Sequence, residues 1–161
     1  MRMMRMATAV LLAVALSACG TNKNDQGDSM DATRNITQAV ADYDAFAQRL
    51  IDRLAEKFGP RDWTTSDEPA TRALCGVDDS GVEVMLPRRT FAGAYAAADR
   101  DAVRDLVVAV GKEAGFAEPD LVVEKPDYLK IVGEDAHGGR YTFTSSVNTV
   151  LSTWTGCHPA S

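Results

Sequence analysis

The sequence predicts an α+β fold, a mostly antiparallel sheet of about five strands with two main helices packed on one face. Three observations predict it. Two stretches place apolar residues at spacings of three and four, the signature of amphipathic helices. The other segments alternate apolar and polar residues and are punctuated by Gly, Pro and Asp, the pattern of half-buried strands joined by turns. The order is helix, two or three short strands, helix, then three or four strands, and helices on one face of an antiparallel sheet bury both patterns at once. At 161 residues and 17.3 kDa there is room for one ordinary domain.

The N-terminus is not part of that domain. Arg2 and Arg5 precede an apolar run over residues 7–16. That run is too short to cross a bilayer, which takes about 20 helical residues, and has the length of a signal-peptide core. It ends in Leu16-Ser17-Ala18-Cys19, which fits the bacterial lipobox Leu-[Ala/Ser]-[Gly/Ala]-Cys. Residues 1–18 therefore read as a lipoprotein signal peptide and Cys19 as the lipidated first residue of the mature chain. Each buried methylene contributes about 0.8 kcal/mol, so one acyl chain binds marginally and two hold firmly. The expected location is the extracytoplasmic face of the cell membrane, with the membrane as partner through Cys19. The net charge is −6. Removing residues 1–18 takes away two Arg and no acid, so 15 basic and 23 acidic residues remain and the mature charge is −8. Such a body is repelled slightly by anionic lipid and is expected to hang off its anchor.

Residues 20–32 have almost nothing apolar to bury and read as a flexible tether with a mean reach of roughly 20 Å. The globular domain then spans residues 33–161. Asp31 or Thr33 offers an N-cap for the first helix. Its stripe is Ile36, Val40, Tyr43, Phe46 or Ala47, Leu50, Leu54 and Phe58, and Gly59-Pro60 stops it. The polar face mixes charges rather than concentrating Lys and Arg, which favours packing on the chain's own sheet over lying on a membrane. Residues 62–66 and 71–75 are strand candidates around Pro69, residues 78–81 a turn, and residues 82–86 a strand ending at Pro87. A second helix starts near Asp99 and runs to Gly115 through Val103, Leu106, Val107 and Val110. Residues 121–124, 128–132, 140–147 and 148–154 complete the strands, with residues 133–139 as a hairpin connection.

Cys75 and Cys157 remain once Cys19 is assigned to lipid, an even pair in an exported, oxidising compartment. They are expected to form a disulfide. The closed loop of about 80 residues is worth on the order of 4 kcal/mol in the chain-entropy model. His158 adjoins Cys157, but neighbours on a strand point to opposite faces, so the pair does not suggest a reactive thiol.

Several chemistries are excluded or disfavoured. An acidic chain is no general nucleic-acid binder. Two histidines, His137 and His158, are too few for a multi-histidine metal centre, and no phosphate loop, dinucleotide fingerprint or Gly-x-Ser-x-Gly elbow occurs. No cofactor, metal or catalytic residue is expected. Ser145 and Ser146 lack an evident histidine partner, and the acids at 78–79, 99–101 and 134–135 read as solvated turns. Arg88-Arg89 reads as a solvated pair. The rings of Tyr128, Tyr141, Phe143 and Trp154 suit either a pocket lining or the core.

The chain resembles the mycobacterial and actinobacterial LppA-type lipoproteins. The resemblance rests on the lipobox ending at Cys19, the long helix to Phe58, Trp63-Thr64 followed by Ala73-Leu74-Cys75, the run over residues 88–98 into the second helix, the Gly139-Arg140-Tyr141-Thr142-Phe143 strand, and the final Thr155-Gly156-Cys157. It implies an envelope lipoprotein and no particular reaction. The sequence therefore points to a non-enzymatic interaction or binding module meeting another envelope protein. The alternative is a carrier of a lipid or other apolar ligand between sheet and helices.

Overall fold

The computed structural model describes residues 33–160; the expected signal peptide, lipidated Cys19 and tether lie outside the described residues. Helix α1, Ile36–Phe58, buries the stripe Ile36, Ala39, Tyr43, Phe46, Ala47, Leu50 and Leu54. Val40 and Phe58 sit at its margins, half-buried against the core. Its cap is neither Asp31 nor Thr33. The side chain of Asn35 accepts from the Gln38 amide at 3.0 Å, and Gln38 Oε1 accepts from the Asn35 amide at 3.1 Å. This reciprocal box satisfies two of the orphan donors of the first turn. Gly59 ends the helix at φ 84°, a conformation that suits glycine. Helix α2, Arg100–Glu113, buries Val103, Val107, Val110 and Gly111. Among the described residues no helix is long and apolar enough to cross a membrane.

The sheet has nine strands rather than about five. They are β1 (Thr64–Thr65), β2 (Thr71–Cys75), β3 (Gly81–Met85), β4 (Arg89–Ala92), β5 (Leu121–Lys125), β6 (Tyr128–Glu134), β7 (Arg140–Ser145), β8 (Asn148–Trp154) and β9 (His158–Pro159). The main path is β1-β4-β8-β7-β6-β5, antiparallel throughout. β3 branches from it. It pairs with β2 along its length, meets β8 only at Met85–Trp154, and pairs with β9 at Gly81–Pro159 and Val82–His158.

The excess strands have physical reasons. β4 lies in the run over residues 88–98, for which the sequence predicts no element. Its inward residues are Arg89 and Phe91, so the apolar alternation that marks a strand is broken by a charge. That charge is answered by α1, where Arg89 donates to Asp44 at 2.6 Å and to Gln48 at 2.9 Å. β9 has two residues, too few to show a period. The strand expected over 140–147 stops at Ser145, because Ser146 and Val147 form the two-residue turn into β8. The other short strand, β1, occupies only two of the residues 62–66.

Both helices lie on one face, as expected. Arg89 is on the same face as Leu151 and reaches α1, while Glu124 shares a face with Leu129 and pairs with Arg104 of α2 at 2.8 Å. The layer between is closed by rings. Phe46, Phe116 and Tyr141 lie with centroids 4.8 to 5.3 Å apart, and Trp63, Phe91 and Tyr95 continue the chain of contacts to Phe58. The Tyr141 ring fits only because two facing positions are glycine. A Cβ on Gly133 would lie 2.4 Å from the ring, and one on Gly111 3.0 Å from its hydroxyl.

Candidate functional site

Three places concentrate chemistry. The first is the corner where β2, β3 and β9 meet. Cys75 and Cys157 are joined there, with Cα atoms 5.9 Å apart across a sequence separation of 82. Gly81 pairs with Cys75 on one side and Pro159 on the other. A Cβ on Gly81 would sit 2.6 Å from the Cys157 sulfur. His158 is wholly buried beside them. Its Nε2 lies 2.6 Å from the Thr155 carbonyl, which can only accept, so Nε2 is the protonated nitrogen. The corner is a tightly packed staple.

The second is the β6–β7 hairpin tip. Asp135 Oδ1 accepts from the backbone amides of His137 (2.8 Å) and Gly139 (2.9 Å), and Oδ2 accepts from the Tyr43 hydroxyl. Tyr43 comes from α1, so one carboxylate shapes the tip and ties it to the helix layer. Burial first, and then the hydrogen bond and charge of Asp135, hold the Tyr43 hydroxyl well above its ordinary pKa, opposed weakly by Arg34. Gly139 is required here as well, since a Cβ would meet the Tyr43 oxygen at 1.6 Å. Asp135 is thus a turn-forming acid with a tertiary partner, not the solvated turn acid that the sequence suggests. Asp135→Ala strands two hairpin amides and a buried hydroxyl. It is expected to cost about 2–3 kcal/mol, with faster amide exchange at His137 and Gly139 as the local readout.

The third is the opposite, helix-free face of the sheet. Three rows of neighbours cross it. One is Thr90, Val150, Thr144, Lys130 and Val123; the next is Ser152, Thr142, Val132 and Leu121; the last is Met85, Trp154, Arg140 and Glu134. The Arg140 guanidinium lies 4.7 Å from the centre of the Trp154 ring. Most of these side chains are half-buried, and Leu121, Glu134 and Arg140 are exposed.

The remaining candidates do not converge. Ser145 Oγ accepts from the Tyr95 amide at 3.2 Å and meets Thr149 Oγ1 at 3.2 Å, at the far end of β7 from His137. Arg88 and Arg89 part company, Arg88 to Glu68 at 2.9 Å and Arg89 to α1. Of the four rings, Tyr141 and Phe143 are core, Trp154 is on the open face, and Tyr128 lines a pocket. That pocket, of about 240 Å³, opens between the start of α2 and the β5–β6 and β7–β8 turns, against Tyr95, Arg100, Val103, Asp127, Leu129 and Val147. Arg100 donates to the Pro126 carbonyl across its mouth. A broader depression of about 620 Å³ runs beside β4 from Pro60 to Asn148. Among the described residues no group of three or more His, Cys, Asp or Glu is placed to hold a metal ion.

Among the described residues, a sheet covered on one face by two helices and stapled by a disulfide defines a small α+β domain. The family to which the chain belongs is LppA. The LppA family model, described as a lipoprotein confined to pathogenic Mycobacterium, matches residues 17–160. Two solved structures share the fold. The LppA protein of Mycobacterium tuberculosis superposes with a TM-score of 0.66 at 12% identity, over 79% of each chain. A DUF4853 family protein from Actinomyces odontolyticus superposes with a TM-score of 0.61 at 15% identity, over 83% of this chain and 74% of that one. No curated protein matches the chain. Membership of a lipoprotein family makes this a membrane-associated protein.

Proposed function

We propose that this chain is a non-enzymatic interaction module, held on the extracytoplasmic face of the cell membrane by lipid on Cys19. The observation that carries the reading is the contrast between the two faces of the sheet. The helix side is packed with interlocking rings. The other side is a broad surface carrying an aromatic ring, aliphatic groups, hydroxyls and cations, the composition of a contact surface. A carrier of an apolar ligand is the second reading; the depression beside β4 is broad and open and lined by Arg61, Asp62, Thr64 and Asn148, so the pocket beside Tyr95 is what favours it. Its volume of about 240 Å³ falls below the roughly 300–1,000 Å³ usual for ligand sites.

Native mass spectrometry of exported residues 20–161, purified without detergent, tests both. The expected result is a bare mass, two hydrogens below the reduced value. A co-purifying adduct of a few hundred daltons that leaves on organic extraction makes the protein a carrier. For the anchor, Cys19→Ser is expected to move the full chain from the membrane fraction to the soluble one. Retention in the membrane fraction overturns it.

A further inference from the structure

We infer that the helix-free face of the sheet docks on the anionic lipid surface of the membrane to which the chain is tethered. The inference rests on the Cys19 anchor proposed above and adds the orientation of the domain. Charge is the first argument. Although the chain is acidic overall, this face carries the cations Lys125, Lys130 and Arg140 against two acids, Glu134 and, at the β3 edge beside Met85, Glu83. None of the three cations is engaged in an ion pair among the described residues. The acids of the helices, such as Asp42, Asp44, Asp52, Asp101 and Asp105, belong to the other layer. A helix is about 10 Å across with its side chains, and the Debye length at physiological salt is about 8 Å, so those acids are screened from a surface that the sheet touches. The net charge predicts repulsion from anionic lipid; the distribution of charge reverses that at short range.

The second argument is chemical fit. Trp154 is the sort of ring that settles at headgroup depth, and it carries the Arg140 guanidinium over its face. Met85 lies beside it, Val132, Val150 and Leu121 add apolar side chains elsewhere on the face, and Thr142, Thr144 and Ser152 supply hydroxyls for headgroups. The third argument is the length of chain between anchor and domain. Thirteen residues, 20–32, span at most about 45 Å even when fully extended. A domain of this size is roughly 36 Å across. Even with the tether fully extended the face stays within about two molecular diameters of lipid, and tethering at such a range makes even weak docking substantial. An acidic envelope protein satisfies the charge argument, but nothing holds it at that distance.

The test uses the full lipidated chain in vesicles with brominated acyl chains, either neutral phosphatidylcholine or the same with about 30 mol% phosphatidylglycerol. There are two tryptophans, so Trp63→Phe leaves Trp154 as the reporter. Flotation reads the anchor and quenching of Trp154 reads docking. The expected result is flotation with both lipids, and quenching only on the anionic vesicles, reversed by 1 M salt. Lys130→Glu with Arg140→Glu is expected to abolish quenching without affecting flotation. The milder Lys125→Gln and Lys130→Gln guard against misfolding, and each is expected to weaken docking about fivefold. A chain that floats with Trp154 unquenched on both lipids overturns the inference while leaving the anchor standing. Should Trp154 stay unquenched on lipid yet be shielded in cells, the face meets a protein and the inference falls. If the chain fails to float, the anchor falls, and titration of the same chain with anionic vesicles then decides docking by quenching alone.

Discussion

Replacing Cys75 and Cys157 together by serine is expected to lower stability by about 4.5 kcal/mol. The figure follows from the 82-residue separation of the bridged positions, since closing a loop of that length removes about 15 cal/mol/K from the unfolded chain. For a domain of this size the melting temperature should fall by roughly 12–20 °C, with the same fall on reduction of the native protein. The topology says where the loss appears first. The β2–β3 hairpin is held to the main sheet by one residue pair with β8 and two with β9, together with Val84 in the core. Without the staple, amides of β2, β3 and β9 should exchange before those of β6, β7 and β8. Gly81→Ala provides an independent check that touches neither cysteine. Its Cβ would intrude on the Cys157 sulfur at 2.6 Å, so the variant should either leave free thiols or lose comparable stability. A melting temperature unchanged by reduction rules out the claim.

The two helices were legible because each repeats its apolar period several times, enough for the signal to outlast one exception. Leu50 and Leu54 identify the α1 stripe even though Val40 and Phe58 fall at its margin. The cap was misplaced because three candidates lie within five residues, Asp31, Thr33 and Asn35, and only the Gln38 side chain reaching back selects Asn35. β4 was hidden by a long-range compensation. Arg89 points toward the helices, and the Asp44 and Gln48 that make this tolerable are more than 40 residues away. The Tyr43–Asp135 pair spans 92 residues, and nothing local distinguishes Asp135 from the other turn acids. A signal did exist at Gly139, since Asp135 followed four residues later by glycine suits a carboxylate-capped tight turn, but its helix partner did not show. The helix-free face was unreadable for a simpler reason. Strand alternation says which residues share a face, while the charge balance of Lys125, Lys130, Glu134 and Arg140 emerges only when three strands are put in register. Composition reported −6 for the chain and concealed a patch of opposite sign.

Above pH 10 the domain is expected to lose stability steeply, by up to about 4 kcal/mol for each pH unit. Three tyrosines, Tyr43, Tyr95 and Tyr141, are buried in the layer between sheet and helices. Burial is the main cause that raises each. It lifts Tyr95 to about 12 against the opposing charge of Arg61, and Tyr141 to about 12 with a further push from Glu118. Tyr43 is raised further still, because Asp135 both accepts its proton and repels its phenolate. The sign follows from proton counting. A phenol is neutral when protonated, and the unfolded chain releases these protons near pH 10 while the native chain keeps them. Between about pH 10 and 12 the native state thus binds up to three more protons than the unfolded one, so stability is complete below pH 10 and declines as pH rises. Each retained proton contributes about 1.4 kcal/mol per pH unit. Urea unfolding at pH 9, 10, 11 and 11.5 measures the decline, and in a Tyr128→Phe background, which leaves only the three buried rings, tyrosinate absorbance at 295 nm should appear together with unfolding rather than before it. Tyr43→Phe removes one of the three protons and should flatten the slope by about a third. A native protein that ionises all its tyrosines near pH 10 without losing structure would show that the layer is open to water, and the filled-interior argument against a carrier would fail with it.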